Sequence, residues 1–597
     1  MKKIKRDWNL SLMLIGILLV ISSFTILYSI DYLLTKSETV TFQDFNGDKL
    51  VGEYTRGNKF AGVLILEGFG SDQIAIKSIA SEFASVGFHV FTFDFSGQGR
   101  SSGSLTFDNA ATYRLAKQVL IAKNIFKLLS GLPDSRIIIV GHSMGARVAL
   151  QTATFDTNPV GGLILLGTQV NLEINLQSDF FTGVSDTSLF WVLNLSSYEP
   201  PVDILLLSGS WDDILTPSAA QKLYLKLGAE LSPYTRDIII YDYVFHNYEI
   251  YNPVLISDAI NWALRELGLD LTPNYFAMKA LIRKIIWILA LIGFIIIPIA
   301  GARYIQQKKK QKDKKIDIKK PINSNSNEEV KNKKRNNEDN SRIGKYSEND
   351  KTIENLESEN LFNIHIQNIR KFLKFKLIAW LGSLPIALLL LSLFFLIPIG
   401  LPIFSLFFVG FLSSYGIFMI ILYLKNRMPG TDGEISLKFN IKNFRRDENN
   451  IKAIATSILL IISCLFFFNS GINFVFPFNT SRFIWLIIFS ILTIPGFYIG
   501  QKESKMLEKG DYGKKLYQIG LWIIGLVPFF GISILFALVR STSGFIGSIQ
   551  GILVLIFVII SGNFIAKIAS NTSIAIIYQS FLIQLLVLTQ GSLFAIF

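Results

Sequence analysis

Apolar residues follow two regimes along this chain. Between residues 36 and 272 they form short runs broken by glycine and polar residues, whereas on either side they form uncharged stretches of membrane-spanning length. In the first regime, Thr39 to Phe45, Lys49 to Tyr54, Gly62 to Leu66, His89 to Phe93, Arg136 to Val140, Gly162 to Leu166, Asp203 to Leu207 and Asp237 to Tyr241 read as strands. Stretches at 73–86, 109–130, 144–155, 217–228 and 254–266 read as helices between the later strands. Two leading strands followed by alternating strands and helices predict an α/β fold: a mostly parallel sheet covered by helices on both faces.

The second regime predicts an all-α polytopic membrane domain. Residues 9 to 30 carry no charge and follow Lys2, Lys3, Lys5 and Arg6, with no small-residue cleavage site behind them. They read as an uncleaved anchor over 1–35 with a cytoplasmic N-terminus. A second run at 285–302, within a span over 280–304, is followed by Arg303 and a lysine-rich stretch from Lys308 to Lys320. The positive-inside rule puts that stretch in the cytoplasm and the 36–272 domain outside. Further spans are expected near 376–397, 402–424, 452–475, 483–500, 517–539, 544–566 and 573–595, about nine in all, the last seven within 371–597. No Asp, Glu, Lys, Arg or His stands near the centre of these runs, so they give no positive sign of an ion pathway.

Composition agrees, because a chain of 597 residues with 50% hydrophobic content is too long for one domain and too apolar to be wholly soluble. Residues 305–370 run the other way, rich in Lys, Asn, Glu and Ser, and read as a disordered cytoplasmic linker. Lysines at inside positions absorb much of the net charge of +13. Interleaved acids argue against nucleic acid as the partner of the basic run, and anionic membrane lipids fit it better. The single cysteine, Cys464, lies in an expected span, which excludes internal disulfides. No His, Cys or carboxylate group has metal-ligand spacing, and Gly97, Gly99 and Gly103 belong to no nucleotide fingerprint, so neither metal nor cofactor is expected.

The chemistry points to residues 141–145, Gly-His-Ser-Met-Gly, set between the run Ile137 to Val140 and a helix. A serine held at a sharp strand-to-helix turn is exposed beside a base and beside backbone N–H groups that can stabilise an oxyanion. Ser143 falls beyond the carboxyl end of its strand, where ligands of parallel sheets sit.

Four motifs make the 40–268 segment resemble an α/β-hydrolase of the lysophospholipase, monoacylglycerol-lipase and serine-aminopeptidase group. They are Gly68-Phe69-Gly70, the run Asp94 to Ser101, the elbow at Ser143, and the run Gly209 to Pro217. A serine hydrolase of this chain order needs an acid and a histidine after the nucleophile, and the chain has four histidines. His89 precedes Ser143, His142 adjoins it and is expected to point elsewhere, and His365 lies across the membrane. His246 remains, where the resemblance implies the base. Asp212 and Asp213 both suit the acid by position, and the family pattern selects Asp212. The resemblance implies oxyanion donors at the backbone N–H groups of Met144 and Phe69. Relatives usually carry His where this chain has Glu67, and a carboxylate there would oppose an oxyanion unless paired or turned away. Asp94 reads as a residue that ties loops together.

The family places a lid between the sixth and seventh strands. Here residues 168–200 contain Phe180, Phe181, Leu189, Phe190, Trp191, Val192 and Leu193, which favours an acyl or lipid-like ester substrate. The expectation is therefore a membrane-anchored serine hydrolase with Ser143, His246 and Asp212 as its triad. A peptidase or amidase with the same triad, a silent binding domain, and a transporter or scaffold are the alternatives.

Overall fold

The computed structural model describes residues 7–34, 36–105, 111–168, 200–269, 275–319, 365–366, 369–394, 401–425, 431–432, 447–469, 480–509, 515–538, 542–588 and 593–594. Helix α1 (Trp8–Leu34) leads into strands β1 (Ser37–Gln43), β2 (Lys49–Thr55) and β3 (Gly62–Leu66). Then come α2 (Lys77–Ser85), β4 (His89–Asp94), α3 (Ala111–Ser130), β5 (Ile137–His142), α4 (Met144–Phe155) and β6 (Gly162–Leu166). The domain closes with β7 (Ile204–Gly209), α5 (Pro217–Lys226), β8 (Arg236–Tyr241), a 3-10 turn over His246–Tyr251 and α6 (Pro253–Glu266).

The eight strands form one sheet in the order β1-β2-β4-β3-β5-β6-β7-β8. The β1/β2 and β2/β4 pairs are antiparallel and all others parallel. Its central strands are apolar on both faces because both faces are covered. Alternate residues divide cleanly: Leu64, Leu66, Ile139, Leu163 and Leu165 pack under α3 and α4. Val63, Ile65, Ile138, Val140 and Ile164 pack under α2 and α6.

Several boundaries shift by a few residues, β1 and β7 among them, and two of the shifts have plain local causes. Strand β5 runs on to His142 because Gly141 pairs with Leu66 and Leu165, and His142 with Leu166. Helix α2 starts at Lys77 rather than near 73, since Asp72 Oδ1 accepts the Ile74 N–H and Asp94 Oδ1 accepts the Gln73 N–H, holding that segment as a turn. The apolar segment expected as a lid at 168–200 falls almost wholly outside the described residues, as do residues 320–364 of the expected linker.

The helical domain comprises α7 (Met278–Lys319), α8 (Ile369–Phe394), α9 (Ile403–Leu424), α10 (Glu448–Asn469), α11 (Thr480–Lys509), α12 (Lys515–Leu538), α13 (Thr542–Ile568) and α14 (Ser573–Leu588), with α1 packed along α7. Among the described residues six helices are long and apolar enough to cross a membrane, and shorter apolar stretches lie at Phe408–Leu424, Ile523–Leu535 and Ser573–Leu588. Helix α7 continues past its apolar run to Lys319, which Lys and Gln, both good helix formers, allow. Helix α11 runs on to Lys509, and within that extension the buried Glu503 meets Lys376 and accepts from the Tyr423 hydroxyl at 2.9 Å. Charges absent from the middle of every apolar run thus meet at the end of the bundle, where each compensates the other's desolvation.

Candidate active site

The site begins with a backbone conformation. Ser143 has φ 55° and ψ −116°, one of three non-glycine residues with positive φ among those described. Such a conformation costs on the order of 1–3 kcal/mol and persists only where the surroundings over-determine it. Here they do. A Cβ on Gly141 would stand 2.6 Å from the Ala146 backbone, and one on Gly145 would stand 2.5 Å from the Glu67 carbonyl oxygen. Only glycine lets the strand, the elbow and α4 approach this closely. The Ser143 N–H is held by the Leu166 carbonyl at 2.9 Å.

The turn after β7 and the segment after β8 bring the other two groups. His246 Nε2 lies 2.8 Å from Ser143 Oγ, and His246 Nδ1 lies 2.7 Å from Asp212 Oδ2. With the carboxylate accepting a hydrogen bond from Nδ1–H, Nε2 is left to accept from the serine hydroxyl. Asp212 is fixed in turn, since its Oδ1 accepts the N–H groups of Ile214 at 3.0 Å and Leu215 at 2.8 Å. Asp212, not Asp213, is therefore the acid in contact with the imidazole.

The other histidines sort themselves by contact. His89 Nδ1 meets the Tyr54 hydroxyl at 2.6 Å at the far end of the sheet, and His365 sits in a short two-stranded pairing opposite Asp432. His142 does not point elsewhere, as the sequence suggested. Its ring packs 4.8 Å from that of His246, and its Nε2 donates to the His246 carbonyl at 3.2 Å. Burial drives its pKa well below the ordinary imidazole value, and the neighbouring His246 adds to the effect. A neutral, buried His142 is thus a wall for the His246 ring.

Glu249 was not visible in the sequence as a site residue. It is fully buried, its Oε1 accepts the Gly209 N–H at 2.8 Å, and its Oε2 lies 3.8 Å from His246 Nδ1 and 3.5 Å from His142 Nε2. Burial pushes its pKa well above the usual carboxyl range, Asp212 adds to this, and the Gly209 N–H opposes it. The one available signal was its place three residues after His246. Together His142, His246 and Glu249 offer ligand atoms within 4.8 Å of one another, a grouping that sequence spacing does not reveal. Both ring nitrogens of His246 are already engaged by Ser143 and Asp212, so a cation there would have to displace one of them.

The loop after β3 lies close to Ser143: a Cβ on Gly68 would be 3.2 Å from Ser143 Cβ. Phe69 follows, and Met144 opens α4 with its N–H outside the helical ladder, as helix geometry requires. Glu67 turns its carboxyl into the next turn, where Oε1 accepts the Phe95 N–H at 2.7 Å and the Gln98 amide at 3.0 Å. Burial, then the charge of Asp94, holds its pKa well above the ordinary value. Paired with donors and favoured in its neutral form, Glu67 brings little negative charge to the elbow. Asp94 ties loops, accepting from the Gln73 N–H, the Gln73 amide and the Arg100 N–H, each at 2.8 Å.

A family model described as the alpha/beta hydrolase fold matches residues 63–196, which include the elbow. The domain has the α/β-hydrolase fold. The matched stretch of this α/β-hydrolase domain ends before Asp212 and His246, whose places rest on the geometry above. The monoglyceride lipase homolog of monkeypox virus is 29% identical over 112 residues, 19% of this chain and 39% of that protein. The chloroplastic protein PHYLLO of Arabidopsis thaliana is 29% identical over 126 residues, 21% of this chain and 7% of that one. The chain thus spans well under half the length of these curated relatives. Among solved structures, the α/β hydrolase GrgF from Penicillium sp. sh18 is 15% identical with a TM-score of 0.33, over 39% of this chain and 99% of that one.

Two expectations follow. Glu67→Gln keeps an acceptor for the Phe95 N–H and should label with a fluorophosphonate probe within about threefold of the wild-type rate, whereas Glu67→Ala orphans that donor and should slow labelling by roughly tenfold. Equal rates for Gln and Ala would contradict the pairing. Glu249, with its folded pKa raised, contributes stability that is present below about pH 4.3 and is lost as pH rises through the raised value. Glu249→Gln cannot ionise, so its melting temperature should gain on the wild type as pH is raised from about 5 to 9. A difference that stays flat across that range rejects the assignment.

Proposed function

We propose that this chain is a membrane-anchored serine hydrolase that cleaves an ester, with a lipid-like or acylglycerol-like substrate as the best fit. The observation that carries this reading is the hydrogen-bonded series from Ser143 through His246 to Asp212, mounted on a strained elbow. Ser143 Oγ attacks the ester carbonyl carbon while His246 Nε2 takes its proton, and Asp212 stabilises the imidazolium that forms. The N–H groups of Met144 and Phe69 receive the oxyanion. Collapse breaks the ester C–O bond, the alcohol leaves with the proton returned by His246, and an acyl-Ser143 remains. Water, deprotonated by His246, then releases the acid and restores the serine.

The long apolar helices support membrane anchorage, and the charge flanking the expected spans supports a cytoplasmic N-terminus with the hydrolase domain on the opposite side. Residues 36–272 are the catalytic unit in this reading, and 371–597 the polytopic unit. The apolar segment within 168–200 and the tether favour a substrate that partitions into lipid.

In membranes holding the full chain, a fluorophosphonate probe should label the wild type and fail to label Ser143→Ala or His246→Ala. Asp212→Asn should lower kcat by a factor on the order of 10⁴. Long-chain monoacyl esters should be turned over faster than aminoacyl amides. Undiminished labelling of either alanine variant refutes the triad, and preferential amide turnover reassigns the substrate class.

A further inference from the structure

The α/β-hydrolase domain and the helical bundle meet through side chains that lead to the catalytic loops. Arg482, in the first turn of α11, is only 2% exposed, although it belongs to the most strongly hydrated class of side chains. Its Nη1 donates to the Leu588 carbonyl at the end of α14, 2.9 Å away, and its Nη2 donates to the Gly97 carbonyl of the hydrolase domain, 3.1 Å away. Asp72 and Asp94 add attractive charge from the hydrolase side. Burying a guanidinium is costly unless its donors are satisfied, and its rigid fork suits two carbonyls presented from different domains.

Gly97 is not an arbitrary acceptor. The next residue, Gln98, is 1% exposed, and its side chain fastens the loop beside the nucleophile. Its Oε1 accepts the Gly70 N–H at 2.8 Å, and its Nε2 donates to the Gly68 carbonyl at 3.2 Å and to Glu67 Oε1 at 3.0 Å. Gly68 is the residue packed against Ser143, and Phe69 lies between the two glycines that Gln98 holds. A continuous path therefore runs from α11 through Arg482, Gly97 and Gln98 to the loop expected to bind the oxyanion.

The segment carrying the base is braced on the same bundle. Lys284 of α7 bonds to the Tyr248 hydroxyl and stands 3.8 Å from the Tyr248 ring centroid, two residues beyond His246. Tyr251 packs 6.4 Å from Trp287, which in turn meets Phe467 of α10 at 5.7 Å. Both loops that must stay in register with Ser143 are thus attached to the helical domain at separate points.

We propose that Arg482 is a positioning residue for the Ser143 site, holding the Gly68–Gly70 loop in place through Gly97 and Gln98 so that hydrolysis depends on the helical domain. The inference rests on the reading of Ser143 as the nucleophile. A displacement of a donor loop by a fraction of an ångström weakens oxyanion binding while leaving the bulk of the substrate site intact. The effect should therefore fall on kcat rather than KM.

The test uses the full chain in lipid nanodiscs. Turnover of a short-chain soluble ester and the rate of fluorophosphonate labelling are measured for the wild type, Arg482→Ala, Arg482→Lys, Gln98→Ala and the Arg482→Ala/Gln98→Ala pair. Arg482→Ala should lower kcat and the labelling rate by about tenfold with KM changed less than about twofold, and Arg482→Lys, keeping one cationic donor, should recover part of the loss. Because both residues act on one loop, the double variant should be little slower than the slower single variant. Labelling of Arg482→Ala at the wild-type rate, a loss confined to KM, or multiplicative losses in the double variant each overturn the proposal. If Arg482→Ala does not fold, the cycle is run with Arg482→Gln against Gln98→Ala and read the same way. A wild type that fails to label at Ser143 removes the nucleophile reading itself, which separates that failure from a failure of the Arg482 assignment.

Discussion

Everything at the site depends on one close approach: strand β5, the elbow and helix α4 meet the end of strand β3 with no room for a side chain at Gly141 or Gly145. That contact holds Ser143 in its positive-φ conformation and leaves the Gly68 loop so near that a Cβ added at Gly68 would crowd the Ser143 Cβ. A residue held in this way gains no freedom by relaxing, because relaxation would separate a sheet that is apolar on both faces. The cost of the strained turn is met by the burial of the β3, β5 and β6 side chains on either side of it.

Around the elbow, buried ionisable groups are arranged so that few are charged at once. Glu67 and Glu249 are pushed towards their protonated forms and His142 towards its neutral form, chiefly by burial. A small number of formal charges in a dry site strengthens each interaction that remains, above all that of Asp212 with His246. The same economy recurs in the helical domain, where Lys376 pairs with Glu503 and Arg482 is shared between two carbonyls. Buried charges there stand at the ends of helices, where they can link one element to another.

The attachment of the hydrolase domain is also more intimate than a tether requires. Ala277 and Ala280 belong to the core beneath α2 and α6, and the Ala280 N–H donates to the buried Glu82 at 2.6 Å. The chain entering α7 is therefore part of the hydrolase core, and a shift of that helix would be felt in the sheet.

Much of this was legible in the primary structure. The positions of the strands along the chain, the elbow at Ser143, the choice of His246 among four histidines and the apolar runs all follow from local pattern and chain order, because hydrophobic periodicity and turn chemistry are properties of neighbouring residues. The pairing of Glu67 with Phe95 and Gln98, the packing of His142 on His246, and the presence of Glu249 were decided only by the tertiary structure. So was the reach of Arg482 to Gly97, 385 residues away in the chain. Each of these depends on where a side chain points and what removes it from water, and neither is encoded in the spacing of residues along one segment.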